Sequence, residues 1–434
     1  MTWPNRELLE EVFAEAVNAA HPATLMQKPM MTALLDTIVT AKRRVVVMGA
    51  GKAAASMAAA LEAAWAETGH KIPLAGIVAT HNGYECETRS VEVVTASHPV
   101  PDERSEVIAK RMLAIADELG EGDTLIGLWS GGGSSLLAAP PEGVSMNSLR
   151  LLTNVLLKSG APISDVNLVR RHLSTIAGGR LAKRAAPAQV INFTLPDVVK
   201  GEDQARWHAD IASGPGVPDP TTAADALDVL DRLGIDPTPD IRSALQSETA
   251  ETPSTWEEMG TGRQNIITFS DRAATEAAKT ALREQGYKII DAPAFLTGEA
   301  RDVAKHMADL AKRHAVFDKP AAIVTGGELT VTVKGSGKGG PNQEFALALA
   351  IMLEGKPNVV ALAGDTDGID GMGSAAGALV LPDTLERMRA AGIDPQSALN
   401  TNDSGSAFAA IGDLLITGPT LTNLNDLRLI VING

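Results

Sequence analysis

The feature that most constrains the fold of this chain is a repeated alternation of short apolar segments, glycine turns and helical segments. A β-branched run at residues 45–48 leads into GAGKAAASMAAALEAAW, a glycine turn and an Ala-rich segment typical of a helix. A second apolar run at residues 124–129 leads into SGGGSS in the same way. Further strand patterns occupy residues 75–81, 91–98 and 189–195. Strand, glycine turn and helix repeated in this order predict a doubly wound α/β fold.

A second alternating series in the C-terminal half predicts another α/β domain. Its strand patterns lie at residues 264–270, 287–293, 321–335 and 358–368, and its helical patterns at 272–286 and 299–314. Residues 235–262, with scattered Pro, Ser, Thr and Glu, are typical of a boundary. The chain of 434 residues is also longer than the roughly 250–300 at which a single core stops growing. We therefore predict two domains, residues 1–240 with the glycine-rich loops and residues 241–434 with GGELTV, NQEFA and DTDGIDG.

Charge and composition argue against several classes of function. The chain has 53 acidic and 38 basic residues, and a net charge of −15 disfavours nucleic acid because phosphate binding needs a basic face. Cys86 is the only cysteine, which excludes an intrachain disulfide and a thiolate zinc site. No apolar run approaches the ~18 residues that span a bilayer, and the N-terminus lacks the pattern of a signal peptide. We expect a cytoplasmic protein with small-molecule ligands and no membrane partner.

The first candidate site is the turn that contains Gly49, Gly51 and Lys52. It resembles the dinucleotide fingerprint, with Ala54 in the third glycine position, but the next strand pattern ends in Thr-His-Asn (80–82), without the carboxylate that binds a ribose. The turn also lacks the spacing of a P-loop. Two interpretations remain: an anion site on free N–H groups at a helix N-terminus beside Lys52, or a packing turn with a solvated lysine.

The second candidate site is a glycine loop that follows a buried strand pattern. It consists of Ser130, Gly131, Gly132, Gly133 and Ser134. Ser130 is one position too late for the G-x-S-x-G nucleophile elbow. Three glycines allow close approach of the backbone to a ligand, so the loop favours a phosphate cradle over a serine nucleophile, with a plain flexible turn as the alternative.

His98 follows another predicted strand and precedes rigid prolines in SHPVP. A packed or capping histidine and a ligand-binding histidine both fit this position. We keep His98 as a candidate binding residue.

Further polar residues follow predicted strands in the second domain. Gly326, Gly327 and Glu328 end one strand, and Asn342 and Glu344 begin the next segment. The strand ends bring these groups to one edge of a sheet, where they could bind a ligand, although Asn and Glu also cap helices.

An aspartate cluster lies in GDTDGIDG. Asp365, Asp367 and Asp370 supply hard oxygen ligands of the kind that Mg²⁺ prefers together with substrate phosphates. The spacing is not that of an EF-hand, and the same residues build ordinary turns. Together with the glycine loops and Lys52, the cluster suits phosphoryl transfer, which depends on positioning and charge neutralisation.

The ordered motifs resemble those of the two-domain glycerate 2-kinases, a family also known under the name hydroxypyruvate reductase. The motifs that carry the resemblance are MGAGKAA, ASHPVPDERS, SGGGSS, RRHLSTIAGGRLA, IASGPGVPDPTT, GGELTV, GKGGPNQEFALALA, DTDGIDG and GDLLITGPTLTNLNDL. They span nearly the whole chain, from Gly49 to Asp426.

The resemblance implies ATP-dependent phosphorylation of D-glycerate at its 2-hydroxyl, with Mg²⁺, to give 2-phosphoglycerate. It also implies a Rossmann-like N-terminal domain and an active site in a cleft between the domains. The family's catalytic lysine matches Lys52, Arg170 belongs to a shared motif as a binding residue, and Asp197 is our hypothesis for the base. A homodimer is left open.

Two departures from the family pattern bear on the acceptor. Ala177 and Pro341 stand where the family usually has Lys and Arg. The residues that could replace these cations are Lys200, Lys338, Arg170 and Arg171. The alternatives are a kinase for a larger aldonate, an NAD(P)H-dependent hydroxypyruvate reductase supported by the GxGxxA turn, and a sensor without turnover.

Overall fold

The computed structural model describes residues 5–27, 29–197, 203–315, 320–356, 358–371 and 373–433. Lys200, one of the candidate replacement cations, lies outside the described residues. The chain divides into two compact units. We call Leu25–Phe269 the first unit, and Met1–Thr24 with Ser270–Gly434 the second unit.

Strands and helices alternate through both units. The strands are β1 (Val45–Ala50), β2 (Leu74–His81), β3 (Val91–Ala96), β4 (Thr124–Ser130), β5 (Gln189–Leu195), β6 (Gln264–Thr268), β7 (Lys288–Ile289), β8 (Phe295–Glu299), β9 (Ala321–Thr330), β10 (Val359–Asp365), β11 (Gly377–Val380), β12 (Leu414–Leu415) and β13 (Asp426–Ile432). The helices are α1 (Arg6–Ala20), α2 (Pro22–Leu25), α3 (Met30–Ile38), α4 (Ala54–Trp65), α5 (Glu103–Asp117), α6 (Gly133–Leu136), α7 (Met146–Lys158), α8 (Ile163–His172), α9 (Arg180–Arg184), α10 (Gln204–Asp210), α11 (Ala223–Arg232), α12 (Pro239–Leu245), α13 (Trp256–Met259), α14 (Ala273–Glu284), α15 (Ala300–His314), α16 (Pro341–Met352), α17 (Thr384–Ala390), α18 (Pro395–Asn400) and α19 (Ser404–Ile411).

The first unit is built on a parallel sheet with the strand order β3-β2-β1-β4-β5-β6. Local sequence accounts for its elements: β1 begins with three valines, and Asp102 and Ser105 form a capping box at the start of α5. The order reverses between β1 and β4, so the loops after these two strands leave in opposite directions. In open α/β sheets, ligands bind outside the carboxyl ends of the strands at such a point.

The second unit is built on a mixed sheet with the order β12-β11-β10-β13-β9-β7. Strands β10, β11, β12 and β13 pair antiparallel with their neighbours, whereas β7 and β8 both pair parallel with β9. β7 pairs with the beginning of β9 and β8 with its end. The strand predicted at 287–293 is therefore shortened to two residues, because β8 occupies the rest of that edge.

The division between the units differs from the predicted boundary at 240/241 and lies at 269/270. Residues 264–268 form β6, which pairs with β5 and keeps the chain in the first unit through the predicted linker. The N-terminal helix α1 belongs to the second unit, where it packs against α14. Thr422 there donates a hydrogen bond of 2.7 Å to the carbonyl of Ala20. The predicted site between two domains stays a prediction.

Among the described residues, no helix combines the length and the apolar character that crossing a bilayer requires.

Candidate active site

The candidate residues of the first unit follow the carboxyl ends of its parallel strands. Lys52 and His98 come two residues after β1 and β3, and Gly131 directly follows β4. Asp197 comes two residues after β5, which pairs with β4 along its whole length. The predicted site residues therefore lie along one edge of the sheet, with Lys52 and Gly131 on the two strands where the order reverses.

The turn after β1 is closed on itself and on β4. The amide of Gly51 donates to the carbonyl of Ala79 (3.1 Å), that of Lys52 to Gly131 (2.8 Å), and that of Ala53 to the hydroxyl of Ser130 (3.1 Å). These three amides are therefore engaged within the first unit, and the predicted anion site at the N-terminus of α4 stays a prediction. The turn also carries the charged side chain of Lys52.

Close packing, and not close approach to a phosphate, explains why glycine stands at positions 49 and 51. A Cβ atom on Gly49 would collide with the carbonyl of Leu128, and one on Gly51 with the hydroxyl of Ser130. The first glycine lets β1 pack closely on β4, and the second leaves room for the hydrogen bond between Ser130 and Ala53. Sequence patterns alone do not separate the two causes.

Lys52, His98 and Gly132 meet at this edge. A Cβ atom on Gly132 would lie 3.0 Å from Cδ2 of His98 and 3.6 Å from Cγ of Lys52. Gly132 has a φ of 82°, which favours glycine. Burial, followed by the positive charges of Lys52, His81 and Arg170, lowers the pKa of His98 to about 3. His98 is thus neutral at physiological pH and faces a positively charged region.

The glycine loop is held by a turn with unusual backbone angles. Ala212 and Ser213 have φ values of 51° and 59°, and the Ser213 hydroxyl donates a hydrogen bond of 2.7 Å to that of Ser134. A Cβ atom on Gly133 would lie 2.5 Å from Cβ of Ala212. Left-handed angles at non-glycine residues cluster at functional sites. Ser213 is not among the predicted site residues, because the Pro and Gly residues around it indicate only irregular structure.

A buried ion network fixes the chain on both sides of this turn. Nη1 of Arg171 lies 2.6 Å from Oδ1 of Asp210, and its Nε lies 2.9 Å from Oδ2 of Asp219. Burial raises the pKa of Asp210, although the charge of Arg171 opposes this. Arg171 is therefore engaged in buried ion pairs and does not replace the family's cations at positions 177 and 341.

Arg170 lies in a different environment. It lines a pocket together with Ser134, Ser174 and Ala177. Its Nη1 donates a long hydrogen bond of 3.4 Å to Asn167, and none of the described carboxylates forms an ion pair with it. Burial lowers the pKa of its guanidinium to about 10.

In the second unit, Gly326, Gly327 and Glu328 lie in the last half of β9. A Cβ atom on Gly327 would collide with the carbonyl of Leu296, so this glycine permits the pairing of β9 with β8. Glu328 is exposed. The structure thus places the glycines within a strand pair and not in a loop around a ligand.

Asp370 caps the N-terminus of α16. Its carboxylate accepts hydrogen bonds from the amides of Asn342 (3.0 Å) and Gln343 (2.9 Å), and from the side chain of Gln343. Burial, opposed by these hydrogen bonds, raises its pKa to about 7. We predicted Asp370 as a metal ligand, but its two oxygens are engaged by the helix that begins at Pro341.

Asn342 and Glu344 are likewise bound within the unit. Nδ2 of Asn342 donates to Asp370 (3.3 Å) and to Asp426 (2.6 Å). Glu344 accepts 2.6 Å and 2.9 Å hydrogen bonds from Arg301 and from Asn402. The Nδ2 group of Asn342 and both carboxylate oxygens of Glu344 are thus used within the unit, and ligand binding by these two residues stays a prediction.

Asp365 and Asp367 end β10 in a tight turn. The amide of Asp367 donates to Oδ1 of Asp365 (2.9 Å), and that of Ile369 to Oδ1 of Asp367 (2.8 Å). Within the described residues, no three His, Cys, Asp or Glu side chains come together as a metal cluster. Asp426 was not among the predicted site residues. It pairs in register with Asp365, and its carboxylate accepts a hydrogen bond from the side chain of Arg428. Its only signal in the sequence was its place at the end of TLTNLNDL.

Comparison with known proteins identifies the family. Residues 8–246 match the family described as a domain of unknown function (DUF4147), and residues 321–426 match the MOFRL family. The D-glycerate 2-kinase of Thermotoga maritima is 39% identical, over 97% of this chain and 97% of that protein. The chain belongs to the glycerate 2-kinase family.

Two further relatives support this assignment to the glycerate 2-kinase family. The crystal structure of glycerate kinase from Thermotoga maritima matches with a TM-score of 0.82 and 38% identity, over 98% of this chain and 99% of that one. A protein of Agrobacterium vitis, provisionally named a hydroxypyruvate reductase, is 44% identical over 100% of this chain and 96% of its own. Members of the glycerate 2-kinase family thus carry both names.

Proposed function

We propose that this protein is a D-glycerate 2-kinase, which transfers the γ-phosphoryl group of ATP to the 2-hydroxyl of D-glycerate. The observation that carries the proposal is the position of Lys52 beside Gly132 and His98, at the edge where the order of the first sheet reverses. The name of the Thermotoga maritima relative gives the reaction. We also infer that the parallel sheet of the first unit is Rossmann-like.

Lys52 neutralises the phosphoryl group during transfer. The ammonium of Lys52, whose side chain lies beside Gly132, stabilises the negative charge on the phosphoryl oxygens. Phosphoryl transfer depends mainly on positioning and on such charge stabilisation. His98 remains neutral and orients the oxygen that attacks phosphorus without adding a second full charge.

Asp197 is the proposed base. It is half-buried and follows β5 on the same edge as Ser130 and Gly131. The 2-hydroxyl oxygen forms a bond to the γ-phosphorus, the bond from that phosphorus to the β,γ-bridging oxygen breaks, and the hydroxyl proton passes to Asp197 as ADP leaves. Asp197 thus has a role that an amide in its place could not fill.

Mg²⁺ fits the oxygen donors at the end of β10. Asp365 and Asp367 supply carboxylate oxygens, and Mg²⁺ is commonly held by one or two carboxylates together with phosphate oxygens. Asp365 and Asp367 would hold the ion, while Asp370 remains the cap of α16. When bound, the ion neutralises phosphate charge on the nucleotide.

The test is ADP release from MgATP with a panel of acids: D-glycerate, L-glycerate and four-carbon aldonates. The proposal predicts that D-glycerate is the best acceptor. If a four-carbon aldonate were the best acceptor, the proposed kinase reaction would stand, but D-glycerate would be the wrong substrate. Nucleotide binding without turnover on any acid would favour the sensor hypothesis.

The name hydroxypyruvate reductase on a relative makes a reductase the second candidate. The structure gives it little support, since β2 ends in Thr80 and His81 without a ribose-binding carboxylate and the amides after β1 are engaged. Fluorescence titration with NADH separates the two. Saturable binding of NADH, together with oxidation of the bound NADH when hydroxypyruvate is added, would overturn the kinase proposal.

A further inference from the structure

The pocket beside the glycine loop has a composition that selects for an anion. The residues that bring polar side chains to it are Ser134, Ser135, Thr153, Arg170, Ser174 and Ser213, and none of the acidic side chains that the structure describes lines it. The remaining lining is apolar and includes Leu137, Leu149 and Leu173. We propose that this pocket receives the carboxylate of the acceptor acid, with Arg170 as its charged partner. This inference rests on the proposed kinase function and names the acceptor-binding site within it.

Three side chains of the pocket have donors to offer. Arg170 makes one long hydrogen bond, to Asn167, and no ion pair with a described carboxylate. The Ser134 hydroxyl accepts from Ser213, and the Ser174 hydroxyl accepts from the amides of Ile176 and Ala177. Each serine therefore keeps its own proton for an acceptor, and neither donates to another described residue. A guanidinium and two hydroxyl donors around one space match a carboxylate, which only accepts.

The size of the pocket limits what can enter. Its cavity measures about 20 Å³. Since one water needs roughly 10–15 Å³ on this measure, the space holds one or two water-sized groups, as a carboxylate requires. A triphosphate carries several negative charges and has more oxygens than one arginine and two hydroxyls can hydrogen-bond, so it does not match this pocket. The apolar walls also disfavour a hydroxylated chain, so the pocket admits the carboxylate end of a short acid.

The pocket is placed correctly for transfer to the neighbouring hydroxyl. The positive charges of Lys52 and Arg170 both act on His98, and His98 lies against Gly132. Ser134 and Gly132 belong to the same loop, one facing the pocket and the other facing Lys52. An acid held by its carboxylate at Arg170 thus presents its 2-hydroxyl near the site of the transferring phosphoryl group.

The test compares Arg170→Gln with a matched control, Arg111→Gln, in which an exposed arginine paired with Glu92 is lost. Steady-state kinetics are measured with D-glycerate and with its neutral amide, glyceramide. We expect Arg170→Gln to raise KM for D-glycerate about tenfold to a hundredfold, as for loss of a charged hydrogen bond, with KM for ATP unchanged. The preference of the wild type for the acid over the amide should collapse in this variant and persist in Arg111→Gln.

Two further variants keep the test decisive. Arg170→Lys retains the charge and should be intermediate, and Ala177→Leu should fill the pocket and raise KM for D-glycerate alone. A rise in KM for ATP instead, or an unchanged preference for the acid over the amide, would overturn the assignment. If the wild type phosphorylates no acid, the kinase proposal fails by itself. Calorimetric binding of D-glycerate that survives in Arg170→Gln would then overturn the pocket separately.

Discussion

The amide of Ala53 donates a hydrogen bond of 3.1 Å to the buried hydroxyl of Ser130 and so joins the turn after β1 to the last residue of β4. Strands β1 and β4 are the pair at which the sheet order reverses. This bond fixes the spacing between the loop that carries Lys52 and the loop that carries Gly132. The Ser130 hydroxyl therefore has a structural contact, whatever it contributes to a ligand.

Ser130→Ala should destabilise the protein, because the buried amide of Ala53 loses its acceptor. We expect the free energy of unfolding in urea to fall by about 1–3 kcal/mol. The control is Ser243→Ala, at an exposed position of α12, which should change it by less than about 0.5 kcal/mol. Equal stability of Ser130→Ala and the wild type would show that the bond does not hold the turn.

Lys52→Ala should reduce kcat by about 100-fold to 1000-fold, because a charge that stabilises the transferring phosphoryl group is lost. Lys52→Arg should recover part of this loss. Lys42→Ala, at an exposed position of the same unit, is the control and should retain full turnover. The ADP-release assay measures all three, and normal kcat in Lys52→Ala would refute the role of the lysine.

Asp370→Asn and Asp365→Asn should have different effects. Asn at position 370 offers one oxygen in place of the two that cap α16, so stability should fall by about 1–3 kcal/mol with no change in the Mg²⁺ requirement. Asp365→Asn should instead raise the Mg²⁺ concentration for half-maximal rate. A raised requirement in Asp370→Asn alone would return Asp370 to the metal ligands.

Arg171→Gln should act on stability and not on substrate binding. The substitution leaves Asp210 and Asp219 buried without their cation, which typically costs about 3–5 kcal/mol. Arg170→Gln, the adjacent substitution, breaks no ion pair among the described residues and should leave the urea midpoint nearly unchanged. If Arg170→Gln destabilised the protein more than Arg171→Gln did, the structural role given to Arg171 and the binding role given to Arg170 would be wrong.

His98 should make stability depend on pH. Its pKa is about 3 in the folded protein, below its ordinary value of 6.5, so only the unfolded chain takes up a proton as the pH falls below 6.5. The stability is complete above pH 6.5 and is lost by up to about 1.4 kcal/mol per pH unit between 6.5 and 3. In His98→Gln, urea unfolding between pH 7.5 and 5 should show a shallower loss. Parallel slopes for the two proteins would contradict this.

Much of the fold could be predicted from local pattern. Residues 189–195 form β5 as predicted, because valine, isoleucine, phenylalanine and threonine make up most of the segment and these residue types favour strands. The division at 269/270 could not be predicted, since composition does not reveal that β6 pairs with β5. The place of α1 in the second unit depends on contacts with residues more than 250 positions away, such as α14.

For the candidate site, the sequence indicates where its residues lie in the fold more than what each of them does. The edge that carries Lys52, His98 and Gly132 follows from strand ends, which the sequence indicates. A glycine needed for packing, such as Gly51, gives the same signal as one that approaches a ligand. A carboxylate that caps a helix, such as Asp370, is likewise indistinguishable in sequence from one that binds a metal. Only tertiary contacts separate these cases.

Identification of the product decides whether this protein is a D-glycerate 2-kinase. The protein is incubated with MgATP and D-glycerate, and the phosphorylated acid is assigned by phosphorus NMR against authentic standards. We expect 2-phosphoglycerate in equal amount to ADP. Formation of 3-phosphoglycerate would contradict the proposed function. A protein that forms no phosphorylated acid but reduces hydroxypyruvate with NADH would contradict it as well.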